Sequence, residues 1–111
     1  MKALGLTLLL RDDPEVVAQY TRDHAAVWPE VLAALRAAGV ADMQIFLIGR
    51  RLFMHVVVPD EFDPAVEWPK LSADPVYARW DETMAAMQER APEAQPDEWW
   101  AEMELVFDLA W

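Results

Sequence analysis

Tyr20 and His24 are the residues of this chain best suited to acid–base chemistry, and they lie within the stretch YTRDHAAVWPE at positions 20–30. On a helix, residues four apart lie one turn above each other on the same side. An imidazole gains and loses a proton near neutral pH, so this side of the helix predicts a proton-transfer site. The alternative, more common in proteins at large, is a pair of hydrogen-bonded core side chains. The rest of that side is apolar: Val17, Val27, Trp28, Val31, Leu32 and Leu35.

Other site chemistries are disfavoured by residue type. The chain has no Cys, which excludes disulfides, a thiolate nucleophile and thiolate metal ligands. Its two His residues show neither HxH nor HExxH spacing, so we expect no transition-metal site. We expect the second one, His55, to be packed in a sheet or at an interface.

The charge balance restricts the kind of partner. Nine basic against 20 acidic residues give a formal net charge of −11, which disfavours binding to nucleic acid or to an anionic membrane. A neutral small molecule fits better, unless Arg50 and Arg51 form a local basic site. Six Trp in 111 residues suggest an aromatic cavity or interface.

Length and the first residues suggest one cytoplasmic domain over residues 1–111. The apolar run at positions 3–10 is too short to span a membrane. The RDDPE sequence that follows is not a small-residue cleavage site, so we interpret the run as a strand over Leu4–Leu10.

Alternating and helical patterns predict the elements that position these residues. Asp-Pro pairs at 13–14, 63–64 and 74–75 are typical of helix starts. We predict a helix to about His24, a second from Pro29 to Ala38, a short one kinked or ended at Pro69, and a longer one to about Ala91. The predicted strands are 43–48 and 52–58, joined as a hairpin, and 102–111 at the end; 91–97 is predicted to be a loop or lid.

The resulting order is strand, helix, strand, strand, helix, strand. It predicts an α+β fold, a ferredoxin-like βαββαβ antiparallel sheet with helices on one face. The other face is apolar, so we expect a homodimer that buries sheet against sheet or forms a dimeric α+β barrel.

The sequence resembles the L-rhamnose mutarotase family along nearly its whole length. The resemblance rests on Tyr20-x-x-x-His24-x-x-x-Trp28-Pro29-Glu30, the hairpin Ile45-Phe46-Leu47 to Leu52-Phe53, Asp74-Pro75-x-x-x-Arg79-Trp80, and Met103-Glu104-x-Val106-Phe107. It implies a dimeric ferredoxin-like isomerase that interconverts the α and β anomers of a deoxy-sugar without a metal or organic cofactor.

The resemblance also implies residue roles. His24 matches the family's general acid, Tyr20 its tyrosine beside the sugar, and Trp80 the first of two adjacent site tryptophans. Met43 and Asp81 stand where the family has a tyrosine and the second tryptophan. These departures leave the preferred sugar open, with L-fucose the leading candidate and L-rhamnose second.

Three roles keep an alternative. The group that accepts the proton of the anomeric hydroxyl is Tyr20, Asp81 or a water. An equal alternative for Asp81 is a solvated carboxylate on the helix surface. Trp28 stacks on the sugar with Trp80, or it is a core residue. The alternatives for the whole protein are a cofactor-independent monooxygenase-like enzyme and a non-catalytic ligand-binding dimer on the same scaffold.

Overall fold

The computed structural model describes residues 1–111 and contains four helices and one five-stranded antiparallel sheet. The strands run in the order β2-β3-β1-β4, and β5 also pairs with β1. This α+β arrangement confirms the ferredoxin-like prediction. The elements are β1 Lys2–Leu10, α1 Pro14–His24, α2 Pro29–Ala37, β2 Asp42–Ile48, β3 Arg51–Val58, α3 Pro64–Leu71, α4 Pro75–Ala85, β4 Gln88–Glu89 and β5 Ala101–Met103.

The central pair β1 and β3 carries the core. Leu8 and Leu52 are directly opposite each other in the register, and both are almost completely buried. Alternate residues of β1 and β3 face the helices, as the period of two in the sequence requires. A second apolar cluster lies at the other end of these strands: Leu6, Met54, Val56, Val58 and Phe62.

A turn glycine and capping aspartates determine where several elements begin and end. The β2–β3 hairpin closes between Ile48 and Arg51, with Gly49 at a φ of 59° that a side chain would strain. The carboxylates of Asp13, Asp63 and Asp74 each accept a hydrogen bond from a backbone N–H in the first turn of the following helix. The three Asp-Pro helix starts are therefore confirmed.

Three predicted elements differ in extent. Helix α3 passes through Pro69 and ends at Leu71. Helix α4 ends at Ala85, not near Ala91, because the chain turns to pair with the edge of β1: Arg11 N donates to Met87 O at 3.0 Å.

The predicted C-terminal strand over residues 102–111 is paired only at Ala101–Met103. In the antiparallel register of β5, residues 104–106 would lie opposite Leu4, Ala3 and Lys2, where β1 begins, so residues 107–111 have no strand to pair with. The alternating apolar residues beyond β5 are thus left exposed: Leu105, Phe107, Leu109 and Trp111. No helix combines the length and the apolar character needed to cross a bilayer.

Candidate active site

A cavity of about 1350 Å³ lies between the helices and the sheet face that they cover. Its lining is mostly apolar, with a few polar side chains, which is the usual composition of a small-molecule site. Five of the six residues singled out from the sequence line it together: Tyr20, His24, Met43, Trp80 and Asp81.

Helix α1 supplies Tyr20 and His24, and their rings stack with centroids 4.2 Å apart. His24 Nδ1 lies 2.9 Å from the backbone oxygen of Tyr20. A carbonyl oxygen only accepts hydrogen bonds, so Nδ1 carries the hydrogen and the imidazole gains or loses its second proton at Nε2. The half-buried ring therefore has one nitrogen fixed by the main chain and one available for proton transfer.

Tryptophan rings form one wall beside this imidazole. Trp80, buried on α4, meets His24 edge-on at a centroid distance of 5.4 Å. Trp28 meets Trp80 edge-on at 5.2 Å and lies outside the cavity lining. This geometry supports the packing interpretation of Trp28, whose ring fixes the position of Trp80.

The phenol of Tyr20 is buried and hydrogen-bonded to a side chain of β4. Gln88 Nε2 donates a hydrogen bond to its oxygen at 3.2 Å, and Tyr20 is only 3% exposed. Burial raises the pKa of Tyr20 to about 12, against a smaller lowering by the Gln88 hydrogen bond. The phenol is therefore protonated throughout the physiological range.

Two further titratable groups of α4 face the cavity. Asp81 is exposed at the rim, where surrounding protein still raises the pKa of its carboxyl through partial desolvation. Burial, together with the charge of Asp81, raises the pKa of Tyr77 to about 12. Asp81 thus lies at the rim of the cavity and on the exposed surface of α4, so both interpretations of its carboxylate stay open.

The rest of the lining includes Met43, which the sequence analysis named, and several residues that it did not name. Met43 is half-buried and faces the helices from β2. Gln88 was not recognised as a site residue because the sequence pattern predicts that α4 continues past it. Trp99 and Trp100 follow a Pro-rich loop without periodicity, so only the high Trp count and their adjacency could have indicated them. No group of three or more His, Asp or Glu side chains is placed to hold a metal ion.

Similarity to known proteins extends over nearly the whole chain. The sequence model of the L-rhamnose mutarotase family matches residues 3–109. An L-fucose mutarotase of Xanthomonas campestris pv. campestris is 38% identical over 112 residues, covering 99% of this chain and 90% of that protein. An L-rhamnose mutarotase of Acidiphilium cryptum is 34% identical over 84 residues, covering 76% of this chain and 79% of that protein.

The fold has a counterpart among solved structures. The crystal structure of an L-rhamnose mutarotase from Formosa agariphila superposes with a TM-score of 0.72 at 21% identity, over 98% of this chain and 99% of that one. This likeness supports the fold, and the sequence matches support the family. The resemblance noted from the sequence is confirmed: the chain belongs to the L-rhamnose mutarotase family and is an isomerase of sugar anomers.

Proposed function

We propose that this protein interconverts the α and β anomers of a 6-deoxy hexose by acid–base catalysis, with L-fucose preferred over L-rhamnose. The observation that carries the proposal is the half-buried imidazole of His24, with Nδ1 bonded to the main chain and Nε2 left for the ligand. Polar groups that converge among aromatic rings suit a sugar, which presents hydroxyls and an apolar face. The same mixture does not favour a monooxygenase-like enzyme for apolar aromatic substrates.

Ring opening requires one proton given and one taken. In our proposal, protonated His24 delivers its Nε2 proton to the ring oxygen as the bond from that oxygen to C1 breaks. The proton of the anomeric hydroxyl passes to an acceptor, and its oxygen becomes the aldehyde oxygen. Rotation about C1–C2 presents the other face of the aldehyde, and the reverse transfers close the ring and restore both groups.

Asp81 is the acceptor that the electrostatics favour. Partial desolvation raises the pKa of its carboxyl, which makes the carboxylate a stronger base than a solvated one. Tyr20 and a water at the cavity rim are the other candidate acceptors. Trp80 supplies the ring on which the apolar face of the sugar stacks, supported from behind by Trp28.

The choice of sugar rests on the similarity to the Xanthomonas L-fucose mutarotase and on two side chains of the lining. The Met43 thioether offers a hydroxyl almost no hydrogen bond, whereas the Asp81 carboxylate is a strong acceptor. Sugars that differ in the orientation of one hydroxyl are separated by whether that group is paired or left unpaired.

Exchange NMR of the anomeric proton tests the proposal directly. L-fucose and L-rhamnose are each measured with and without protein, and we expect a larger acceleration for L-fucose. A larger acceleration for L-rhamnose contradicts the preference. No acceleration with either sugar or with other common aldoses contradicts the enzymatic function.

We further propose that the uncovered sheet face binds a second copy of this chain. Phe46 and Phe53 stack across β2 and β3 on that face, and both are exposed. His55 lies beside them on β3 with its Nδ1 shielded from solvent and without a hydrogen-bond partner. A facing copy would cover the aromatic rings and also bring its exposed C-terminal apolar residues to a partner surface.

Sedimentation of charged variants tests this assembly. We expect Phe53→Glu to shift the protein from dimer to monomer, because a carboxylate cannot be buried unpaired between two sheets. Val66→Glu, at an exposed apolar position on α3, is the matched control and is expected to remain dimeric. A monomeric wild type overturns the proposal.

A further inference from the structure

A chain of two hydrogen bonds links the C-terminal loop to Tyr20. Trp99 Nε1 donates to Gln88 Oε1 at 2.8 Å, and Gln88 Nε2 donates to the Tyr20 hydroxyl oxygen at 3.2 Å. Gln88 is 7% exposed, so its amide has little access to alternative partners in solvent. Both bonds therefore depend on a single buried amide.

The direction of each bond follows from the chemistry of its ends. An indole N–H can only donate, so the amide oxygen of Gln88 must face Trp99 and its NH₂ group must face Tyr20. The phenol oxygen consequently accepts. The Tyr20 hydroxyl has no other protein partner, and the residue lines the cavity, so its hydrogen is directed to whatever occupies the cavity.

The loop that carries Trp99 is itself held in place. Arg90 Nε donates to the backbone oxygen of Glu98 at 2.9 Å, and a second guanidinium nitrogen donates to the backbone oxygen of Gln95. The Glu98 carboxylate accepts from Gln95 N at 2.9 Å and from Glu102 N at 3.1 Å. The segment that carries the Trp99 indole is thus held in place by its own hydrogen bonds.

We propose that Gln88, oriented by Trp99, is a positioning residue that fixes Tyr20 as a hydrogen-bond donor to an oxygen of the bound sugar. The proposal rests on the proposed mutarotase function and removes Tyr20 from the candidate proton acceptors. Burial raises the pKa of Tyr20 to about 12, which is consistent with a phenol that donates and keeps its hydrogen.

Gln88→Glu tests the direction of the bond at nearly constant shape. A carboxylate accepts at both oxygens, so it keeps the bond from Trp99 and captures the Tyr20 hydrogen, turning it away from the cavity. We expect kcat for anomer exchange at neutral pH to fall about 10²-fold, the usual loss for one donor to a reacting oxygen. Gln19→Glu adds the same charge at an exposed position of α1 and is expected to leave kcat unchanged.

Acidic pH gives a readout that a packing defect does not reproduce. A protonated carboxyl can donate to Tyr20 and accept from Trp99, as the amide does, so the variant-to-wild-type ratio of kcat should recover as pH falls. The ratio removes the pH dependence of kcat that both proteins share through the other titratable side chains of the lining. These are His24, Asp63, Tyr77, Asp81, Asp97, Glu98 and Glu102.

Two further variants complete the experiment. Trp99→Phe keeps a ring but removes the donor, so the Gln88 amide is free to turn over; we expect a smaller fall in kcat with no recovery in acid. In a Tyr20→Phe background, Gln88→Glu should cause no further loss. An unchanged rate in Trp99→Phe overturns the role assigned to the indole.

The remaining outcomes separate this proposal from the proposed function. If Gln88→Glu matches or exceeds wild type, or falls without recovery in acid, Tyr20 is not fixed as a donor by Gln88. If wild type accelerates no aldose, the mutarotase function fails instead. The orientation is then tested by NMR of the Trp99 indole N–H, whose resonance should shift in Gln88→Met and stay near its wild-type position in Gln88→Glu.

Discussion

Replacement of His24 is the most direct test of the catalytic site. Loss of general acid–base catalysis typically costs about 10²–10⁴-fold in rate, which corresponds to ~3–5 kcal/mol of activation free energy at ~1.4 kcal/mol per decade. We expect His24→Gln to fall in this range, because its amide can occupy the space of the ring but cannot transfer a proton. His24→Ala should lose at least as much.

The structural cost of these variants is small enough for them to fold. His24 stacks on Tyr20 and bonds to its backbone oxygen at 2.9 Å. The stacking is worth ~0.5–1.5 kcal/mol and the hydrogen bond about the same, so His24→Ala should destabilise by ~1–3 kcal/mol. A typical domain is stable by ~5–15 kcal/mol and survives such a loss.

The assay is anomer exchange by NMR, corrected for the uncatalysed rate, at several pH values. Urea unfolding of each variant checks that the loss is catalytic, and Gln19→Ala on the exposed side of α1 is the control. An exchange rate in His24→Gln equal to that of wild type refutes the assignment of His24 as the proton-transfer group.

Three further substitutions test the scaffold and its electrostatics by urea unfolding. Asp74→Ala removes the acceptor for the backbone N–H groups of Val76 and Tyr77 and should destabilise by ~0.5–2 kcal/mol. Trp80→Ala leaves a cavity beside His24 and should cost ~3–5 kcal/mol. Asp81 has a raised pKa in the folded chain, so folding takes up protons there and its contribution to stability is lost as pH rises through that pKa. Asp81→Asn should therefore stabilise the protein at neutral pH, with the gain disappearing below about pH 4, where the acid is protonated in both states.

The sequence was most informative where local chemistry determines the structure. Alternation of Leu4 to Leu10 predicted β1, and each Asp-Pro pair predicted a helix start, because strand period and N-capping act within a few residues. The four-residue spacing of Tyr20 and His24 correctly predicted that their side chains lie together on one side of α1. In each case the residues that form the pattern and the structure that they determine lie within a few positions of each other.

Predictions failed where distant partners decide the structure. The stripe that ends in Met87 and Ala91 has helical spacing, but hydrogen bonds to the edge of β1 unwind it after Ala85. The alternation after Met103 is typical of a strand, but β1 begins at Lys2, three positions beyond the pair Gly5↔Met103, so most of this segment has no partner strand. Gln88 lies in the site because of the same long-range contacts with β1, which no local sequence pattern predicts.

The two-residue length of β4 makes the site sensitive to strand register. β4 pairs with β1 at two positions, Leu9↔Glu89 and Leu10↔Gln88. A slip of one position would put Met87 or Glu89 in place of the amide, with a thioether or a carboxylate facing the phenol. The turn between α4 and β4 should therefore tolerate no insertion or deletion, although it lies outside the cavity and looks like an ordinary connection.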